Sequence, residues 1–152
     1  MTKTPLLVGL TLTIAGLLAS PAVARNEGYM LPIRDALDAP DAKAKLDRGI
    51  RLHFGGGTPA RVAKDFGVLE SDMKGRGAGR NGNDRLACEE AFVNAVLSLQ
   101  ERARSLGGNA VINITSNYRK TATSSPTQYM CRAGSHSARV ALTGRVVRVG
   151  GN

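Results

Sequence analysis

The stretch that decides the fold is DRLACEEAFVNAVLSLQERARSLGGNAVINI, residues 84–114. Apolar residues recur at steps of three and four through its first part, which predicts one amphipathic helix from Asp84 to Leu106. Asn83 or Asp84 can cap the start of this helix, and Gly107 can end it in a left-handed conformation. The apolar stripe that should face the core consists of Cys88, Phe92, Ala95, Val96, Leu99, Ala103 and Leu106.

Three segments after the helix alternate apolar and polar residues, which is the pattern of half-buried strands. They are Asn109–Tyr118, Thr127–Arg132 and Ala138–Val146. Their apolar faces would cover the stripe of the helix, so the order favours an α+β fold with a small antiparallel sheet backed by one main helix. The residues expected to face the helix are Ala110, Ile112, Ile114, Tyr129, Cys131, Ala138, Val140, Leu142 and Val146.

The chain before the helix has weaker patterns. Ile50–Phe54 alternates as a strand does, and a second short strand is expected around Phe66–Leu69. Residues 25–49 are expected to be irregular apart from one helical turn, and the Gly-, Arg- and Asn-rich residues 73–83 predict a flexible surface loop. The predicted order is therefore one or two strands, the helix and three strands, within a single domain at residues 50–152.

The first 24 residues predict a secretory signal peptide. One charge, Lys3, precedes an apolar run over residues 6–18, and Ala22-Val23-Ala24 supplies the small residues that a signal peptidase needs. The run is shorter than the roughly 20 residues that span a bilayer. Cleavage between Ala24 and Arg25 would release a periplasmic or secreted domain with no transmembrane segment. An uncleaved anchor or a buried helix is the alternative interpretation.

The two cysteines, Cys88 and Cys131, lie 43 positions apart in the sequence. An isolated pair in an oxidising compartment usually forms a disulfide, which would stabilise the fold by roughly 4 kcal/mol. Free buried thiols and a metal site are the alternatives. In a metal site, His53 and His136 would be the weak candidates to join the thiolates around zinc or copper. The spacing of these residues forms no tight ligand motif, so the prediction includes no cofactor.

The positive charge is concentrated in the last third of the chain. The net charge is +9, and residues 102–152 hold eight lysines and arginines and no acid. A field of one sign attracts polyanions. After export, the available partners would be acidic envelope proteins, anionic lipids or lipopolysaccharide rather than nucleic acid, and a solvated surface with no partner is the alternative. The predicted basic surface consists of Arg119, Lys120, Arg132, Arg139, Arg145 and Arg148.

The sequence offers no set of residues for catalysis. Gly55–Arg61 lacks the Gly-Lys-Ser/Thr of a phosphate-binding loop, and Gly75–Arg80 has no aromatic residue to stack on a base. Glu89 and Glu90 are adjacent on the helix, so their side chains diverge. The prediction is therefore a non-enzymatic binding domain of the cell envelope that contacts acidic partners. The alternative is a periplasmic heavy-metal-binding module for zinc or copper.

Two motifs carry a family resemblance. Ser105–Ile114, with sequence SLGGNAVINI, and the later Tyr129-x-Cys131-x-x-Gly134 resemble the YbjQ-like and RcsF-like small α+β domains over about 60 residues. The resemblance implies a disulfide from a cysteine at the helix start to one on a late strand. RcsF-like domains add a second disulfide and a lipidated N-terminus, which have no counterpart among the residues here. Similar chains have been labelled excinuclease ATPase subunits, but this sequence lacks a nucleotide-binding loop.

Overall fold

The computed structural model describes residues 24–57, 59, 61–77 and 83–150. The expected signal peptide lies outside these residues apart from Ala24. The predicted α+β class is confirmed: one long helix packs on one sheet. In chain order the elements are β1 (Glu27–Pro32), α1 (Ile33–Asp38), α2 (Pro40–Lys45), β2 (Arg51–Phe54), β3 (Val62–Arg76), α3 (Asp84–Leu106), β4 (Ala110–Tyr118), β5 (Thr121–Thr123), β6 (Gln128–Ala133) and β7 (Ser137–Val149).

All seven strands belong to one sheet, which is larger than the small sheet predicted. Its order is β1-β6-β7-β4-β2, with β3 along the other edge of β7 and β5 beside the end of β4. The pairings are antiparallel except that of β2 with β4, which is parallel. The last strand, β7, is the centre of the sheet, because it pairs with β3, β4 and β6.

The segment 25–49 is not irregular as expected. It contributes β1, which pairs with β6 over its full length, and two short helices. Pro40 is the first residue of α2, a position where its missing N–H leaves no helical hydrogen bond unmade. Sequence analysis missed β1 because Gly28 and Pro32 weaken its strand pattern. An edge strand tolerates both residues, since it pairs with a neighbour on one side only.

The loop expected at residues 73–83 is shorter than predicted. Residues 73–76 continue β3 and pair with β7, while residues 78–82 lie outside the described part. Gly75 belongs to the strand because α3 crosses directly over it: a Cβ there would lie 1.8 Å from the carbonyl oxygen of Ala87. A glycine that permits close packing was thus misinterpreted as a loop residue.

The helix α3 begins and ends as predicted, at Asp84 and Leu106. Gly107 ends it with φ of 83°, the left-handed conformation that glycine adopts most easily. Six of the seven predicted stripe residues are fully buried, whereas Leu106, on the last turn, is 43% exposed. The predicted side-chain cap from Asn83 does not form.

The core lies between α3 and the sheet. The predicted disulfide between Cys88 and Cys131 forms and joins α3 to β6. Phe92 stacks on Tyr129 with ring centroids 4.0 Å apart, and Phe54 lies 5.9 Å from Phe92. The largest side chains of the core therefore lie beside the disulfide.

One residue of β4 changes which side chains reach this core. Asn113 has φ of 52°, and the pairing of β4 with β7 shifts register between Ile112 and Thr115. A bulge of this kind resets the alternation of a strand. Val111 and Ile114 therefore belong to the main core, whereas Ala110 and Ile112 join a second small cluster, in contrast to the simple alternation predicted.

Candidate functional site

Two of the predicted basic residues, Arg139 and Arg145, project from β7 onto the face of the sheet away from α3. Arg139 donates two hydrogen bonds of 2.6 Å to Asp72, and Arg145 donates one of 2.6 Å to Asp65. The ion pair raises the pKa of Arg139, and the Gly67 N–H together with Arg145 lowers the pKa of Asp65. Both arginines are therefore neutralised locally by acids of the neighbouring strand β3.

Lys120 and Arg148 also have partners within the chain. The ammonium group of Lys120 lies 2.5 Å from a carboxylate oxygen of Glu70. The Nε and Nη2 atoms of Arg148 donate to the carbonyl oxygen of Gly107 at 2.9 and 2.6 Å. Because Gly107 follows the end of α3, Arg148 places its charge where the helix dipole favours a cation. Its role in the structure is to fix the end of the helix.

Arg119 and Lys120 together form the turn between β4 and β5. Tyr118 pairs with Thr121, so these two residues are the whole loop. Their φ values are 51° and 65°, the left-handed conformation that two-residue hairpin turns require and that Asn-Gly adopts most easily. A residue with a side chain loses about 1 kcal/mol in this conformation. The chain therefore holds two long cations at a turn where smaller residues would be more stable.

Arg119 and Arg132 share the ring of Tyr118. Their guanidinium carbons lie 5.4 and 5.5 Å from its centroid, which is the range of cation–π contacts. Neither guanidinium lies within 4.0 Å of a carboxylate in the described part of the chain. The Nε atom of Arg132 is buried and has no hydrogen-bond partner among these residues. We call Arg119 and Arg132 the arginine pair.

The arginine pair is suited to acidic ligands. A guanidinium is planar and always charged, and it presents parallel N–H donors that match the two oxygens of a carboxylate or phosphate. Arg119 is exposed and Arg132 is half-buried, so the pair combines a reachable cation with one that the protein fixes in place. Of the six predicted basic residues, Lys120, Arg139 and Arg145 pair with acids, and Arg148 binds a backbone carbonyl. Within the described residues, the arginine pair has neither kind of partner.

The residues considered for a metal site do not provide thiolates, because Cys88 and Cys131 are joined in the disulfide. His53 is half-buried on β2, and His136 is exposed in the turn between β6 and β7. The described residues contain no group of three or more His, Cys, Asp or Glu side chains placed to hold a metal ion.

A cluster that the sequence did not predict joins the start of β1 to the start of α3. The guanidinium of Arg25 binds Glu27 and Asp84, and the Tyr29 hydroxyl lies 2.6 and 2.9 Å from carboxylate oxygens of these same acids, so its one proton can be donated to either. Hydrogen bonding to Glu27 and Asp84 raises the pKa of Tyr29 to about 12. Asp84 was expected as a possible helix cap, but it lies inside the first turn. Arg25 and Tyr29 lie 59 and 55 positions before Asp84, so no local sequence pattern predicts that these side chains meet.

Within the described residues, no helix is long and apolar enough to cross a membrane. No protein-family model, curated protein or solved structure matches the chain. The resemblance to the YbjQ-like and RcsF-like domains therefore stays a prediction.

Proposed function

We propose that this chain is an exported, non-enzymatic domain of the cell envelope that binds acidic groups of a partner through the arginine pair. The observation that carries the proposal is the sharing of one Tyr118 ring by Arg119 and Arg132, neither of which lies within 4.0 Å of a carboxylate in the described part of the chain. Both guanidinium groups lie within about 5.5 Å of the centre of this ring, and their like charge favours an acidic partner.

The conformation of the hairpin turn supports the same function. Strained backbone tends to be kept where it serves a site. At Arg119 and Lys120 the strain places two cations at the tip of the β4–β5 hairpin, next to the half-buried Arg132. An Asn-Gly turn would be more stable but would remove both charges.

Export supports the choice of partner. The predicted signal peptide and the buried disulfide fit an oxidising compartment, for which we propose the periplasm with cleavage between Ala24 and Arg25. The proposed partner is an acidic protein surface, and anionic lipid or lipopolysaccharide is the competing outcome of the tests below.

The first test compares two double variants with equal net charge. Arg119→Gln with Arg132→Gln removes the pair, whereas Arg34→Gln with Arg48→Gln removes two exposed cations between β1 and β2. We expect the first variant to elute from a heparin column at a clearly lower salt concentration than the second, because only the first variant loses the two guanidinium groups beside Tyr118. Elution of both variants at the same salt concentration would contradict the proposal.

The second test replaces the turn by Arg119→Asn with Lys120→Gly. These residues favour the left-handed conformation, so we expect stability against urea to rise by about 1 kcal/mol. The exposed Lys120–Glu70 ion pair that is lost contributes little. Affinity for heparin should fall in the same variant. A variant that keeps the affinity would show that the strained turn does not serve binding.

A further inference from the structure

The outer edge of β1 exposes backbone hydrogen-bonding groups at Gly28 and Met30. The Ile33 N–H donates to the Thr127 carbonyl at 2.9 Å and continues the ladder between β1 and β6. In an antiparallel ladder, every second residue has its N–H and C=O directed at the same neighbouring strand. Because Ile33 bonds to β6, Leu31 and Tyr29 also direct their backbone groups toward β6. Gly28 and Met30 therefore point theirs away from the sheet.

The other long edge of the sheet, that of β3, is protected by side chains of α3. The Arg102 guanidinium donates to the Glu70 carbonyl at 2.8 Å, and the Arg76 N–H donates to the Glu90 carboxylate at 2.9 Å. Natural sheets often block their edges in this way against unwanted pairing. On β1, no side chain of the described residues bonds to the backbone of residues 28–31.

Gly28 lets Arg132 reach toward this open edge. The two residues lie opposite each other on β1 and β6. A Cβ at Gly28 would lie 3.0 Å from Nη1 and 3.1 Å from Cζ of Arg132, so the guanidinium occupies the space that a side chain would fill. A strand added beyond β1 would lie about 4.8 Å away. Its residue opposite Gly28 would meet the guanidinium.

Met30 provides an apolar position two residues further along the same edge. It lies opposite Met130 and is 39% exposed, so its side chain can contact a partner. The two methionines line a groove of about 290 Å³ together with Gly28, Tyr29 and Arg132. Methionine adapts its shape to different apolar partners.

We propose that β1 accepts an extended acidic segment of a partner protein as an added antiparallel strand. The backbone of Gly28 and Met30 would pair with the segment, a carboxylate opposite Gly28 would bind Arg132, and an apolar side chain opposite Met30 would enter the methionine groove. In an antiparallel strand, the apolar residue precedes the acid by two positions. The inference rests on the proposed function, because Arg132 belongs to the arginine pair.

A second copy of this chain does not meet these requirements. If β1 paired with β1 of another copy, each strand would pair through the backbone groups that face away from its own β6. Only alternate residues carry such groups, so the residue opposite Gly28 would be Asn26, Gly28, Met30 or Pro32. None of these residues is acidic, so Arg132 would remain without a carboxylate. The charge therefore points to a different protein.

The test uses protein purified from the periplasm and a short capped peptide in which a valine precedes a glutamate by two positions. We expect the amides of Gly28 and Met30 to exchange more slowly with solvent when the peptide binds, as measured by NMR. Met30→Pro removes the N–H that faces the edge, whereas Met30→Ala removes the thioether and keeps the N–H. We expect the proline variant to bind about tenfold more weakly than the alanine variant.

Equal affinity of these two variants would overturn strand addition. A peptide carrying an N-methyl group on its glutamate repeats the test on the unchanged protein, which covers the case that Met30→Pro does not fold. We expect this peptide not to bind, and binding would again overturn the inference. Replacement of the peptide's glutamate by glutamine should also weaken binding, and Gly28→Ala should do the same by displacing Arg132.

The two proposals fail in different ways. If heparin affinity depends on the arginine pair but the peptide does not bind, the proposed function stands and strand addition is wrong. If vesicles of phosphatidylglycerol bind through Arg132 and the peptide does not, the surface serves lipid and the inference is again wrong. If heparin affinity does not depend on the arginine pair, the proposed function itself fails.

Discussion

On the face of the sheet that α3 covers, Phe92 stacks on Tyr129 beside the Cys88–Cys131 disulfide. On the opposite face, Arg139 and Arg145 of β7 meet acids of β3 in exposed ion pairs. Burial and covalent closure provide most of the free energy of folding, whereas exposed ion pairs provide little. The face that α3 covers therefore holds the fold together, whereas the open face is free to vary for binding.

The largest expected effect comes from the covered face. Cys88→Ala with Cys131→Ala removes a cross-link that closes a 43-residue separation, which should lower the free energy of unfolding by roughly 4 kcal/mol. Urea denaturation of the oxidised protein and the variant measures the difference. Adding reductant to the variant is the control and should have no effect. If the variant is as stable as the oxidised protein, the disulfide does not contribute to the stability of the covered face.

The next effect concerns the contact between α3 and β3. Gly75→Ala places a methyl group against the backbone of Ala87, so α3 must move, and we expect a loss of about 3 kcal/mol in urea denaturation. Gly56→Ala is the matched control, because a Cβ there meets nothing within 4 Å. If both variants lose the same stability, the helix does not press on β3 as described.

A smaller effect, visible in its pH dependence, comes from the cluster at the start of β1. The folded protein raises the pKa of Tyr29 from 10.0 to about 12, because its hydroxyl lies within hydrogen-bond distance of the carboxylates of Glu27 and Asp84. The protonated phenol is thus favoured by folding, so its contribution is complete below pH 10 and is lost as the pH rises toward about 12. The stability difference between the protein and Tyr29→Phe, measured by urea denaturation, should shrink over this range. A difference that stays constant would mean that the hydroxyl does not titrate as inferred.

The smallest effect should come from the open face. Asp72→Asn breaks the paired hydrogen bonds of Arg139, yet both side chains are close to half exposed, so we expect a loss below about 1 kcal/mol. A double-mutant cycle with Arg139→Gln isolates the coupling between the two groups. If the coupling free energy between Asp72 and Arg139 is as large as the contribution of the disulfide, the open face stabilises the fold as much as the covered face does.

The sequence predicts the covered face well because its signals are periodic. The bounds of α3 and the inward residues Tyr129, Cys131 and Val140 follow from helical and strand alternation. The disulfide follows from the count of cysteines and the expected compartment. The missed features depend on single residues: Gly75 extends β3, and Asn113 resets β4.

The open face is harder to predict because its pairings are remote in the sequence. Arg139 meets Asp72 across 67 positions and Arg145 meets Asp65 across 80. The sequence therefore does not reveal which cations of the last third form ion pairs with acids. Arg119 and Arg132, which bind neither an acid nor a backbone carbonyl in the described part of the chain, are no different in type from the arginines that are paired. Only the register of the strands separates the two groups.

The place of β7 in the chain has a consequence for how the protein is made. Residues 137–149 are synthesised after all the other described strands, yet among these strands β3 pairs only with β7, and β4 and β6 both pair with it. The earlier strands must therefore wait, without their central partner, until residue 149 has been made. A nascent chain stopped at residue 136 would contain both cysteines and the long helix and still lack a sheet to close.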